Sequence, residues 1–329
     1  MIKYLNIIRW KNLLFIVLIQ LLIQHLVVFP ILETYGFTTS LNSNLGLMLV
    51  FGTVLIAAGG YVINDYFDVK IDRINKPHKV LIPEIISKKS AMLYYQILTG
   101  SGIFLGLLLS YLTKSFSLGF IFILVPGLLW FYSSSYKRQF LWGNLIVSLL
   151  AALTALSVGV LEVSLLKKEY SDLVYQTDIP KVIYGWTGGF ALFAFLATWI
   201  REIIKDIEDE AGDRELECRT MPIKWGVKNT KYFLYFLVVF TIATILHVNF
   251  HFITFEGNLT LRYIISGIIA PYLALILLIF RAKSPADYKY ASILSKAIML
   301  IGVLYSFVFY YLEAKQYGLT FFGLFIIQK

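Results

Sequence analysis

Asn64, Asp68 and Asp72 recur every four residues in the stretch NDYFDVKIDRINKP, residues 64–77. On an α-helix that spacing stacks three oxygen-bearing side chains along one face, with Asp65 flanking it. A second stretch, REIIKDIEDEAGD at 201–213, sets Glu202, Asp206, Asp209 and Asp213 at i, i+4, i+7 and i+11, again on one face. Carboxylate oxygens with no thiolates among them suit a hard cation such as Mg2+. That ion takes one or two carboxylates and fills its shell with water and substrate phosphate. Two such faces opposite each other describe a diphosphate held through magnesium, with Asn64 ligating by its amide oxygen or bonding the diphosphate. A third stretch, FYSSSYKRQF, groups Tyr132, Tyr136, Lys137 and Arg138. Lysine and arginine bind phosphate oxygens, arginine by a bidentate fork. Lys205, Arg73 and Lys79 are further cations of the same kind.

These residues must be positioned by a membrane-embedded scaffold. The 329-residue chain is 58% hydrophobic and only 15% charged, against roughly 25% charged in soluble domains. Apolar runs long enough to cross a bilayer recur from end to end. Hydropathy and length predict nine spans near 12–30, 45–67, 91–112, 116–132, 142–162, 184–206, 230–250, 261–281 and 293–313. The fold class expected is an all-α, polytopic bundle forming a single domain over 1–329. The first span carries Lys3, Arg9 and Lys11 before it, as a signal sequence does, but no A-x-A-like site follows, so it is read as retained. The terminal GLTFFGLFIIQK is too short to cross and is expected to lie against the interface or a neighbouring helix.

Basic residues concentrate in the loops on one side of these spans, which puts the N-terminus and the Asp-rich loops in the cytoplasm and the C-terminus outside a cytoplasmic membrane. The same bias accounts for the net charge of +9 without nucleic acid, and leaves membrane lipid or a phosphorylated substrate as the natural partner. The single Cys218 excludes an intrachain disulfide and a cysteine metal cluster. No Ser/His/Asp arrangement, Gly-rich phosphate loop or CxxC is present. The two Asp-rich loops stand four spans apart and each leads into a Pro-containing piece, NKPHKVLIPE and RTMPIKWG, expected to be extended. Two related halves facing a shared site would give that pattern. Gly212 is a candidate helix stop just before Asp213. A cation-coupled transporter is the alternative outside enzymes, but its sites lie near the bilayer midplane rather than at span ends.

NDYFDVKIDRINKP resembles the first Asp-rich motif of the UbiA superfamily of intramembrane prenyltransferases, and KDIEDEAGD resembles the second. YSSSYKR followed by GNLIVS is similar to that family's YxxxK(R) loop and the start of its fifth helix. The likeness extends over roughly residues 5–310 and is strongest to the digeranylgeranylglyceryl phosphate synthase branch, which makes archaeal-type ether lipids. It implies a nine-helix bundle around a central cavity, with Asn64, Asp68, Asp72, Asp206, Asp209 and Asp213 holding a prenyl diphosphate through Mg2+. Asp68, Asp72, Asp209 and Asp213 are then the catalytic set. Lys137 and Arg138 neutralise the leaving group, and Asn64, Asp65, Arg73, Tyr132, Tyr136 and Lys205 join them in binding substrate. The implied reaction transfers a prenyl group, geranylgeranyl, to a glycerol-phosphate lipid; an aromatic acceptor of a quinone or pigment pathway is the alternative. Where many members continue with arginine, proline and glycine, this chain has Lys79, Val80 and Glu84, a departure at the acceptor end of the site.

Overall fold

The computed structural model describes residues 2–37, 43–75 and 81–326; Lys79 and Val80 lie outside them. Among the described residues, nine helices are long and apolar enough to cross a membrane. They are α1 (Trp10–Thr34), α2 (Asn44–Phe67), α3 (Lys88–Thr113), α4 (Phe116–Ser134) and α5 (Trp142–Gln176), then α6 (Ile179–Glu208), α7 (Met221–His251), α8 (Leu259–Arg281) and α9 (Pro285–Tyr317). The nine expected spans are all present. Most are longer than hydropathy indicates, because polar first and last turns continue the helix beyond the apolar window.

The bundle closes on itself. Helix α2 packs along α3, α5 along α6, and α6 also meets α7 and α9. Helix α1 touches α2, α5 and α9, joining the chain's beginning to its end. Large apolar side chains such as Phe51, Phe104, Phe116 and Phe280 point away from the protein. In water that belt would drive aggregation; in lipid it is the solvated surface. The chain is an integral membrane protein.

Local departures from the sequence expectation have identifiable causes. The first span runs on to Thr34 rather than stopping at Pro30, because a π-turn at Gln24–Val28 absorbs the backbone bond that the proline cannot make. Helix α8 repeats the device, with a π-turn at Ile264–Ile269 just before Pro271. The RTMPIKWG piece is not extended: Thr220 precedes the first turn of α7 and Pro222 sits where a missing N–H costs nothing. The tail folds into a small hairpin, Thr320–Phe321 against Phe325–Ile326, which packs back on α9. There the Tyr310 hydroxyl donates to the Thr320 carbonyl at 2.9 Å and accepts from the Phe322 N–H at 3.0 Å.

The two Asp-rich stretches break in the same way. Helix α2 ends at Phe67, and after Asp68 a short helix Val69–Asn75 begins. Helix α6 ends at Glu208, and after Asp209 a short helix Glu210–Glu215 begins. The stop is therefore at Asp209, not at Gly212, which lies inside the short helix. Like charges four residues apart weaken a continuous helix, and aspartate is a poor helix former, so the kink falls where both act. The two short helices pack against each other, closing one end of the bundle.

Gly226 sits at φ 78°, ψ 155°, a conformation open almost only to glycine, and separates the first turn of α7 from its membrane-crossing part. Gly226→Ala should destabilise the protein by about 1–3 kcal/mol, read as a lower thermal midpoint in detergent. Gly100→Ala, in an open helical position, should leave the midpoint unchanged or raise it. Equal behaviour of the two variants would contradict this account of the kink.

Candidate active site

The elements meet around one cavity of about 900 Å3, at the upper end of the range for small-molecule sites. Its deep wall is apolar, made by Phe15, Ile19, Ile56, Phe122, Leu129 and Leu150. Its other end is lined by both Asp-rich stretches and by the loop between α4 and α5.

From the first stretch, Asn64, Asp65, Asp68 and Asp72 all line the cavity. The kink after Phe67 keeps the expected stacking, since the Asp68 N–H still bonds the Asn64 carbonyl and the Asp72 N–H the Asp68 carbonyl, each at 2.9 Å. The Asn64 amide donates to Asp68 Oδ2 at 2.7 Å. Asp68 is almost fully buried. From the second stretch Lys205, Asp206, Asp209 and Asp213 line the same space. Asp206 accepts from the Asn144 amide at 2.9 Å. Glu202 anchors the wall, taking Arg201 at 2.8 Å and Lys205 at 3.0 Å.

The loop between α4 and α5 supplies the positive charge. The Lys137 ammonium ion-pairs with Asp68, a contact across 69 residues of sequence. Burial acts against the lysine charge, but Asp68 and the Tyr132 phenol outweigh it and hold the group above the usual lysine range. Arg138 lines the cavity beside it, and its carbonyl accepts from the Arg219 N–H at 2.8 Å, tying this loop to the chain after the second stretch. Gly143 makes the approach possible: a Cβ there would stand 3.0 Å from the Lys137 backbone and the Tyr136 carbonyl oxygen. Tyr132 lines the cavity as well.

Burial also acts on the aspartates outside the spans. It pushes Asp213 up to about 6, against the pull of Lys137 and with the push of Asp209 and Asp68. It raises Asp72 in the same way, with Asp68 adding to the shift. The site thus holds carboxylates that carry charge reluctantly and gain from a cation brought in with a ligand.

Two expected residues are not brought to the cavity. Arg73 turns away to Glu84, 4.0 Å off, both more than half exposed. Tyr136 packs beside Phe131 instead of lining the site. Conversely, Asn144, Arg9, Arg201, Lys11 and Lys296 line the cavity and are not among the site residues expected from sequence. The only signal for Asn144 was its place in GNLIVS, directly after the Lys137 loop. Arg9 pairs with Asp65 at 2.7 Å across 56 residues, which no local pattern announces.

The donor set Asn64, Asp68, Asp72, Asp206, Asp209 and Asp213 is oxygen only, which suits Mg2+. Among the described residues no three His, Cys, Asp or Glu side chains converge into a preformed metal cluster. An ion that keeps one or two carboxylates and draws its other ligands from phosphate and water requires no such cluster.

Comparison with known proteins gives one consistent relationship. The model of the UbiA prenyltransferase family matches residues 27–296. Digeranylgeranylglyceryl phosphate synthase of Thermococcus sibiricus is 33% identical over 200 residues, which are 60% of this chain and 62% of that one. The synthase of the same name from Korarchaeum cryptofilum is 33% identical over 252 residues, 76% of this chain and 80% of that one. The chain thus spans about three fifths of the length of the first of these relatives, and more of the second. A solved structure described as digeranylgeranylglyceryl phosphate synthase in membranes superposes with a TM-score of 0.62 at 25% identity, covering 94% of this chain and 97% of that one. A UbiA homolog from Archaeoglobus fulgidus bound to GPP and Mg2+ superposes at 0.53 with 16% identity, covering 93% and 99%, and supports the fold alone. With the family model matched over most of its length, this chain belongs to the UbiA prenyltransferase family.

Proposed function

We propose that the protein transfers a prenyl group, geranylgeranyl, from its diphosphate to the free hydroxyl of a glycerol-phosphate lipid. The observation that carries this reading is the convergence of both aspartate stripes with Lys137 and Arg138 at one end of a cavity whose deep wall is apolar. A prenyl diphosphate has that same polarity, a dense negative head on a hydrocarbon tail. The names of the synthase relatives support the acceptor class.

In this account Asn64, Asp68 and Asp72 on one side and Asp206, Asp209 and Asp213 on the other hold the diphosphate through Mg2+. The ion supplies charge neutralisation and polarises the leaving oxygens. Lys137 and Arg138 take up the remaining negative charge as the allylic C–O bond breaks, the electrostatic contribution that usually dominates such catalysis. Asn144 holds Asp206 in place. The apolar wall of Phe15, Ile56 and Phe122 keeps water from the carbocation, and Tyr132 offers a ring face to it. Once the C–O bond has broken and released diphosphate, the acceptor hydroxyl attacks the allylic carbon, forms the ether bond and passes its proton to the released diphosphate. Asp65, paired to Arg9, and Lys205, paired to Glu202, shape the pocket's charge. The Asp-rich end would face the cytoplasm, following the side on which basic residues collect.

Protein purified in detergent, given labelled geranylgeranyl diphosphate, Mg2+ and a panel of acceptors, should release diphosphate and prenylate a glycerol-phosphate ether lipid. No product with any acceptor would sink the proposal, and product only with aromatic acceptors would transfer it to the aromatic class. Asp68→Ala and Asp209→Ala should each lower turnover by at least about 100-fold, on the scale of removing one stabilising group from a transition state. Full turnover in either variant would mean that the stripes do not hold the diphosphate.

The site's electrostatics can be checked without substrate. The Asp213 carboxyl is raised from the ordinary 3.8 to about 6 in the folded protein. Its contribution to stability is therefore full below pH 3.8 and is lost as pH rises through about 6. In EDTA, the thermal midpoint of Asp213→Asn should fall less than that of the unsubstituted protein between those pH values. Parallel curves would show that Asp213 is not desolvated as described.

A further inference from the structure

The carboxylate stripes account for Lys137, Arg9 and Lys205, each of which has its anion: Asp68, Asp65 and Glu202. They leave a second set of cations on the cavity wall. Lys11 at the start of α1, Arg201 on α6 and Lys296 on α9 all line the cavity. Among the described residues, no carboxylate lies within ion-pairing distance of Lys11 or Lys296. The charges that act on Lys296 are Arg201 and Lys11, both positive. Its ammonium donates to the Asn12 side-chain oxygen at 2.8 Å, a neutral partner that does not offset the repulsion. Arg201 spends one guanidinium nitrogen on Glu202, while its buried Nε–H has no hydrogen-bond partner.

Three like charges from three helices, with Arg201 sharing its Glu202 partner with Lys205, leave net positive charge on this wall that is unfavourable until a further anion joins it. Lys296 stands eleven residues beyond the first residue of α9. A lysine at that depth is tolerated when it faces a polar cavity rather than lipid. Lys137 and Arg138 enter the cavity from the loop between α4 and α5, whereas this second set enters from α1, α6 and α9. One cavity therefore carries two cationic walls.

We infer that Lys11, Lys296 and Arg201, with Asn12, form a second anion site that takes the phosphomonoester of the acceptor lipid. This rests on the proposed prenyl transfer, and it deepens that reading by giving the acceptor's charge a place of its own. A diphosphate donor and a monophosphate acceptor bring two separate anionic groups, and the cavity offers each its own cations. A neutral aromatic acceptor leaves the second set without a counter-charge. Positive charge at α1 and α9, the joined first and last helices, also suits an acceptor that arrives from the bilayer headed by its phosphate.

The test is equilibrium binding to the full-length protein in a non-ionic maltoside detergent. The probes are an alkylglycerol phosphate ether, the matching alkylglycerol without phosphate, and geranylgeranyl diphosphate with Mg2+. The unsubstituted protein should bind the phosphorylated ether about ten- to a hundred-fold more tightly than the alcohol, the scale of charge-assisted hydrogen bonds. Lys11→Gln combined with Lys296→Gln should remove most of that difference and leave geranylgeranyl diphosphate binding within twofold. The corresponding double arginine variant should restore it. Lys296→Gln alone serves if the double variant does not fold, and should lose part of the difference. Persistence of the preference in the glutamine variants, or an equal loss of donor binding, would overturn the inference. So would competition by phosphatidylglycerol in nanodiscs as strong as by the alkylglycerol phosphate, which would make the occupant a bilayer lipid. Tight, lysine-dependent binding with no turnover would uphold the anion site and overturn the proposed reaction instead.

Discussion

Charge buried in a lipid-embedded bundle has to be compensated, and the Lys137–Asp68 ion pair is where this protein does so most directly. The pair joins the second helix to the loop between the fourth and fifth, and so holds the first aspartate stripe against the rest of the site. Its neighbours follow the same constraint. Arg9 answers Asp65, Arg201 and Lys205 answer Glu202, and the Asn144 amide answers Asp206. Removing one partner of a buried ion pair leaves an uncompensated charge, which makes the contact of Lys137 with the nearly fully buried Asp68 a determinant of the site's shape.

The compensation is incomplete. Asp72 and Asp213 stay desolvated, on short helices that pack together, and both hold their protons more tightly than an exposed aspartate. A magnesium diphosphate would complete the charge balance at that end of the cavity. At the wall made by α1, α6 and α9 the imbalance has the opposite sign, and an anionic acceptor would complete it there. Stored electrostatic mismatch of this kind gives a ligand a differential reason to bind, without any change in the scaffold.

Much of the architecture was legible in the sequence, because hydropathy over 20-residue windows is a strong signal and lipid admits only helices with satisfied backbones. The aspartate stripes were legible for the same kind of reason: i, i+4 spacing maps one face of a helix onto one wall of a cavity. The structure adds an equivalence between the stripes. Each long helix ends one residue before a motif aspartate, Asp68 or Asp209, and resumes as a short helix carrying Asp72 or Asp213. Gly212, the obvious stop by residue type, is overridden by charge repulsion and tertiary packing at Asp209. What the sequence could not announce were contacts between distant helices. Asn144 with Asp206 and Arg9 with Asp65 depend on which faces meet, and local spacing does not encode that. Arg73 shows the converse, since its position in the motif fits phosphate binding while its side chain lies toward Glu84.

The central claim is that the two stripes act as one clamp on a single diphosphate. A double-mutant cycle on Mg2+-dependent binding of a non-reactive thiolodiphosphate analogue, using Asp68→Asn and Asp209→Asn, tests it most directly. The account predicts strong non-additivity, with either single variant losing nearly as much affinity as the pair, because each stripe is ineffective without the other. Strictly additive losses would mean that the stripes bind independently, and would contradict the clamp.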